Sequence, residues 1–187
     1  MPDIAQSRIA ILATNGFEQS ELEVPLSKLR QAGATVEVVS LESGEIKGWD
    51  KKDWGEPVAV DRVLDQANAA DYDAIVLPGG QINPDLLRVE KKAVDFVKAF
   101  SRAGKPVAAI CHAPWLLIEA DLVKGKRVTS YHSIRTDMIN AGSKWEDSET
   151  VRDGNLITAR NPGDLDAFVK AIVAAVEGIS EKRSAAE

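Results

Sequence analysis

The chain has 187 residues, enough for one domain with a substantial core and short for two. A formal net charge of −6 argues against nucleic acid or an acidic membrane surface as the main partner, and no run of about 18 apolar residues is present to span a bilayer. One cysteine excludes an internal disulfide, fits a reducing cytoplasm and leaves a single thiol as a candidate nucleophile. With two histidines, His112 and His132, and that lone thiol, neither a histidine-rich metal site nor a thiolate zinc site is expected. The segment from Met1 to Ser7 lacks both a basic region and an apolar stretch, so it does not read as a secretory signal.

In chain order, apolar strands alternate with amphipathic helices. Ile9 to Ala13 is a short continuous apolar run, the mark of a strand buried on both faces. Leu22, Leu26 and Leu29 follow at helical spacing, and Gly33 stands where that helix ends. Val36 to Leu41 reads as a second strand. Residues 42–62 lack strong periodicity and read as an excursion with short edge strands. Ala74 to Leu77 is a third buried strand, stopped by Pro78-Gly79-Gly80. Ala93, Phe96, Val97 and Phe100 form an i, i+3, i+4, i+7 stripe, which predicts a helix over 90–103. Val107 to Ile110 is a fourth buried strand, and residues 113–119 are helical, with Pro114 in the first turn.

Farther on, Arg127 to Ser130 reads as a strand and Ile134 to Ala141 as a short helix. Thr150 to Ala159 reads as a hairpin around Asp153-Gly154-Asn155. Leu165, Phe168, Val169, Ile172, Val173 and Val176 mark a last helix. The chain is thus one domain over 1–187, ordered from about residue 7 to 179, with a frayed charged tail over 180–187. The alternation predicts an α/β fold: a doubly wound parallel sheet with helices on both faces. In such folds the working groups lie beyond the carboxyl ends of the strands. Three loops qualify: Thr14 to Glu18, Pro78 to Asp85, and Cys111-His112.

Cys111 comes directly after an apolar strand and directly before a helix, the context of a nucleophile elbow. A helix N-terminus there is expected to lower the thiol below its usual value of about 8.5. His112 is the candidate base. Glu18 is the candidate carboxyl for the sulfur, with Glu21 and Glu23 expected in solvent. The N–H groups of Gly79, Gly80 and His112 are candidates for an oxyanion hole. Asp85 is either the acid that orients His112 or a plain helix cap. His132 reads as a partly exposed loop histidine. Without thiol chemistry, the chain would be a flavodoxin-like binding domain, although phosphate-loop patterns are absent.

These pieces, taken together, resemble a known family. Asn15-Gly16-Phe17-Glu18, Val76-Leu77-Pro78-Gly79-Gly80, Lys105-Pro106 through His112-Ala113-Pro114, Thr129-Ser130-Tyr131 and Asp137 through Gly142 occur in order along nearly the whole chain. The pattern is similar to the PfpI branch of the class I glutamine amidotransferase-like superfamily, the DJ/PfpI family of intracellular proteases. The resemblance implies a flavodoxin-like sandwich in the cytoplasm that forms dimers or hexamers. It implies Cys111 as nucleophile, His112 as base, Glu18 as the acid at the sulfur and Tyr131 near the substrate pocket. Asp85 stands where the family places a glutamate, often donated by a neighbouring subunit, and is one methylene shorter. The implied activities are peptidase, cofactor-free glyoxalase and deglycase, acting on a peptide, a small carbonyl compound or a glycated adduct. A non-enzymatic redox-sensing or chaperone-like stress role is the alternative.

Overall fold

The structure is a computed structural model and describes residues 4–184, with side chains described as far as residue 178. The strands and helices are, in chain order, β1 (Arg8–Leu12), β2 (Phe17–Glu18), α1 (Gln19–Gln31), β3 (Thr35–Ser40), β4 (Glu45–Asp50), β5 (Asp53–Ala59), β6 (Arg62–Val63), β7 (Ala74–Leu77), α2 (Ile82–Arg88), α3 (Lys91–Arg102), β8 (Val107–Ile110), α4 (Pro114–Glu119), β9 (Arg127–Val128), α5 (Arg135–Asn140), β10 (Lys144–Trp145), β11 (Thr150–Asp153), β12 (Leu156–Ala159) and α6 (Leu165–Ser184). The tail expected from residue 180 falls on side chains and residues outside the described ones, apart from the helical backbone to Ser184.

Seven strands form the central sheet in the order β11-β12-β8-β7-β1-β3-β6. All neighbours run parallel except β11 and β12, which form the expected hairpin. The winding reverses between β1 and β7, so a crevice opens at the carboxyl ends of the central strands. The buried strands divide their side chains by the period of two. Ile9, Ile11, Val76 and Ile110 enter one core with Leu22, Leu29 and Phe168, between the sheet and helices α1 and α6. Leu12, Ile75, Leu77 and Ala109 enter the other with Phe96, Phe100 and Leu117, under α3 and α4. Both faces are covered, which is why these strands read as continuous apolar runs.

Two segments depart from the sequence expectation. The excursion at 42–62 is mostly a regular antiparallel hairpin, β4 with β5, joined by β2 into a separate three-stranded sheet. Trp49 and Trp54 meet edge to face across it, at 5.5 Å between ring centroids. Its solvated, irregular alternation hid it. The loop expected over Pro78 to Asp85 stops at Gln81, and residues 82–88 form helix α2. Asp85 therefore lies inside a helix and does not cap one. Ile82, Leu86 and Val89 leave an apolar edge of that segment exposed, so the core stripe that marks α3 is missing there.

Phe100 is fully buried and packs edge to face on Phe96, at 5.1 Å. Replacing it with Ala is expected to cost about 3–5 kcal/mol, read as a lower midpoint in chemical denaturation.

Candidate active site

Cys111 stands immediately after β8 with a φ of 64°, in the left-handed region that costs a non-glycine residue roughly 1–3 kcal/mol. Two backbone bonds hold it there. Its N–H donates to Ala159 O at 3.0 Å, and its carbonyl accepts from Tyr131 N at 2.8 Å. The sharp turn lifts the side chain out of the sheet and into a cleft of about 430 Å³. Glu18, Glu21, Trp49, Gly80, Ile82, His112 and Tyr131 are among the residues that line it.

The Pro-Gly-Gly loop after β7 closes on this turn. A Cβ on Gly79 would come within 2.7 Å of both Cys111 Cβ and Ile110 O, and one on Gly80 within 2.4 Å of Gly16 O. Side chains are thus excluded where the three loops converge. Buried Asn83 ties the loops together: its Oδ1 accepts from Thr14 N at 2.8 Å, and its Nδ2 donates to Pro78 O at 2.9 Å.

The carboxyl beside the sulfur belongs to Glu21, and this corrects the assignment of Glu18. Glu18 caps α1: its Oε2 accepts from Glu21 N at 2.9 Å and from Ser20 Oγ at 2.5 Å. It borders the cleft but makes no hydrogen bond to Cys111. Glu21, expected in solvent, is fully buried, accepts from Gly79 N at 2.8 Å and interacts with the thiol. The helical face supplied a signal that was missed. Glu21 shares its side of α1 with Pro25 and Leu29, at i+4 and i+8, whereas Glu18 precedes the helix.

The Gly79 N–H is engaged by Glu21, so it is not free for an oxyanion. The N–H groups of Gly80 and His112 are the ones directed at the sulfur.

His112 Nδ1 lies 3.1 Å from Cys111 Sγ. Its ring stacks on Tyr131 at 4.8 Å and meets Trp115 edge-on at 5.3 Å. Nε2 lies 3.1 Å from the hydroxyl of Ser133, a contact absent from the sequence reading. Asp85 is exposed on α2 and makes no hydrogen bond or ion pair with His112 among the described residues. His132, expected as a partly exposed loop histidine, is exposed and meets the Tyr131 ring at a tilt, with 4.3 Å between centroids.

Burial dominates the protonation of these groups. It raises Glu21 to about 8, with the charge of Glu18 adding to the effect, so Glu21 is protonated at neutral pH. Burial also lowers His112 to about 4, helped by His132, so the imidazole is neutral. The Cys111 thiol is pushed up by burial and next by the charge of Glu21. That second cause disappears while Glu21 holds its proton. The lowered thiol expected from a helix N-terminus is thus not found, because α4 starts three residues later and desolvation outweighs it. The resting centre is a set of neutral groups: thiol, imidazole and carboxylic acid.

An α/β sandwich with a strained cysteine elbow, a facing histidine and convergent backbone donors defines a class of cysteine-centred α/β proteins. Within that class, the model of the DJ-1/PfpI family matches residues 7–175, and the chain belongs to this family. Deglycase PfpI of Pyrococcus furiosus is 44% identical over 89% of this chain and 97% of its own length. General stress protein 18 of Bacillus subtilis is 41% identical over 91% and 98%. The crystal structure of Drosophila melanogaster DJ-1beta superposes with a TM-score of 0.82 at 29% identity, over 95% of this chain and 94% of that one. Among the described residues, no helix is long and apolar enough to cross a membrane, and no cluster of metal-ligating side chains occurs.

The buried acid gives stability a definite pH dependence. Between the unfolded value of 4.5 and about 8, the folded protein keeps a proton on Glu21 that the unfolded chain has released. Stability is therefore full below about pH 4.5 on this account and falls as pH rises towards 8. Between about pH 4 and 6.5 the neutral His112 contributes the opposite slope, because the unfolded chain binds a proton there that the folded protein does not. Denaturation midpoints are therefore expected to fall from about pH 6.5 to 8 in the native protein and to lose that fall in Glu21→Gln.

Proposed function

We propose that the protein is a cysteine-dependent hydrolase of the PfpI type, acting as a peptidase or as a deglycase or glyoxalase on carbonyl compounds and their adducts. The observation that carries this reading is the Cys111–His112 pair, Sγ to Nδ1 at 3.1 Å, at a strained elbow that opens into a cleft. The relative named a deglycase supports it.

The chemistry follows from the geometry. Sγ adds to the substrate carbonyl carbon as the thiol proton passes to His112 Nδ1. The negative oxygen that develops is met by the Gly80 and His112 N–H groups. Protonated Glu21 adds no negative charge against it. With an amide substrate, collapse of the adduct expels the amine, which takes the proton from Nδ1. Water then cleaves the thioester and returns the thiol. An aldehyde undergoes the same addition to give a hemithioacetal. The apolar walls Trp49, Ile82 and Tyr131 suit a small or aliphatic group beside the carbonyl. The same reading includes self-association in the cytoplasm. The exposed apolar edge of Ile82, Leu86 and Val89 beside the cleft supports the contact between copies.

A panel of aminocoumarin peptides, methylglyoxal and glycated thiols, assayed with native protein and Cys111→Ala, tests the proposal. Turnover of at least one member is expected and is lost in Cys111→Ala; turnover that survives the replacement refutes thiol catalysis. His112→Ala is expected to lower kcat/KM by about 10²–10⁴-fold. In the native protein the acid limb is expected near pH 4, where His112 gains its proton.

A second reading, an oxidisable stress protein, is favoured by the opening of the cysteine elbow into the cleft and by the relative named a general stress protein. Mild peroxide followed by intact-mass measurement is expected to add oxygen at Cys111. A mass that stays unchanged while a free thiol in the same tube is oxidised would remove this reading.

A further inference from the structure

We propose that Ser133 is a positioning residue for His112, its hydroxyl fixing which edge of the imidazole faces the Cys111 thiol. The inference rests on the thiol–imidazole reading above and assigns a role to a residue outside it.

Tyr131 covers one face of His112, and Trp115 meets it at an edge. Such packing restrains the plane of the ring but not its identity under a half-turn. A half-turn exchanges nitrogen for carbon at both ends while filling the same space. Only a hydrogen bond distinguishes the two orientations, and Ser133 supplies one at Nε2. Cys111 Sγ occupies the other end, at Nδ1. The two nitrogens are thus both engaged, on opposite sides of the ring.

The chemistry of a hydroxyl suits this position. For the thiol proton to move to Nδ1, Nε2 must carry the hydrogen of the neutral ring. Nε2–H then donates to Ser133 Oγ, and it continues to do so once Nδ1 is protonated. A carboxylate there would also hold Nε2–H, but it would stabilise the imidazolium through its charge. A serine orients without adding charge, and this agrees with the neutral ring that burial imposes. Asp85, the acidic candidate, lies exposed on α2 with no bond to Nε2 within the chain.

The test uses the full-length protein, with two readouts. The first is turnover of the most active member of the panel. The second is the rate of Cys111 alkylation by iodoacetamide against pH, which requires no substrate. Ser133 is exposed, so Ser133→Ala is expected to keep the native Tm. Its kcat is expected to fall about tenfold with KM little changed, the scale of one neutral hydrogen bond. Ser133→Thr, which keeps the hydroxyl, is expected to recover most of the loss. Ser133→Asp is expected to move the acid limb of kcat/KM to higher pH and to speed alkylation between pH 5 and 7, because its charge favours imidazolium and thiolate. Native kcat and a native alkylation profile in Ser133→Ala would overturn the proposal. So would a comparable loss in Asp85→Asn with none in Ser133→Ala, which would place an acid at Nε2 in an assembled oligomer. Turnover surviving in Cys111→Ala would overturn the catalytic reading itself. In that case the shifted alkylation profile of Ser133→Asp would still report the contact.

Discussion

A carboxylic acid buried without a cation sets the terms for everything around it. Glu21 Oε2 accepts the Gly79 N–H, Oε1 has no hydrogen-bond partner among the described residues, and the Cys111 thiol and the Gly80 N–H are the other polar groups at the carboxyl. Ionising such a group in a desolvated place is costly, so it keeps its proton at neutral pH. This one interaction joins the first turn of α1 to the Pro-Gly-Gly loop and brings both against Cys111. It also spends the Gly79 N–H, leaving Gly80 and His112 as the donors at the sulfur.

The convergence depends on backbone close approach. β1, β7 and β8 are neighbours in the sheet, so the loops after them start side by side at one edge. They can meet only because Gly79 and Gly80 carry no Cβ where Cys111, Ile110 and Gly16 approach. The strain at Cys111 is held by backbone bonds from two different segments, the end of β12 at Ala159 and the turn at Tyr131. A strained elbow of this kind survives because the surrounding structure over-determines it.

Membership of the DJ-1/PfpI family accounts for the architecture, and the chemistry rests on side chains that the architecture only places. Around His112 this chain combines two stacked or edge-on aromatic rings with a hydroxyl at Nε2. The thiol, imidazole and carboxylic acid are uncharged at rest, so the thiol addition proposed above would have to separate charge among them, with an oxyanion at the backbone donors and an imidazolium beside Ser133.

The sequence by itself determined the central buried strands, the helices α1, α3, α4 and α6 that cover them and the cysteine elbow, but not α2 or the β4–β5 hairpin. The reason is local: buried parallel strands must be continuously apolar, and the helix stripe of α3 must repeat with its turn. The Pro-Gly-Gly loop and the position of His112 were legible on the same grounds. The choice between Glu18 and Glu21 was not settled by proximity in sequence, because both lie within one helical turn of the same loop. The direction in which α1 leaves β2 decided it, giving one residue the cap and the other the core. Ser133 was out of reach as well: it is 21 residues beyond His112 and has no pattern of its own. Even the expected shift of the thiol reversed, since a short helix three residues away is weaker than burial. Which residues are chemically present was written in the chain. Which of them touch the sulfur, and with what charge, depended on contacts between loops far apart in sequence.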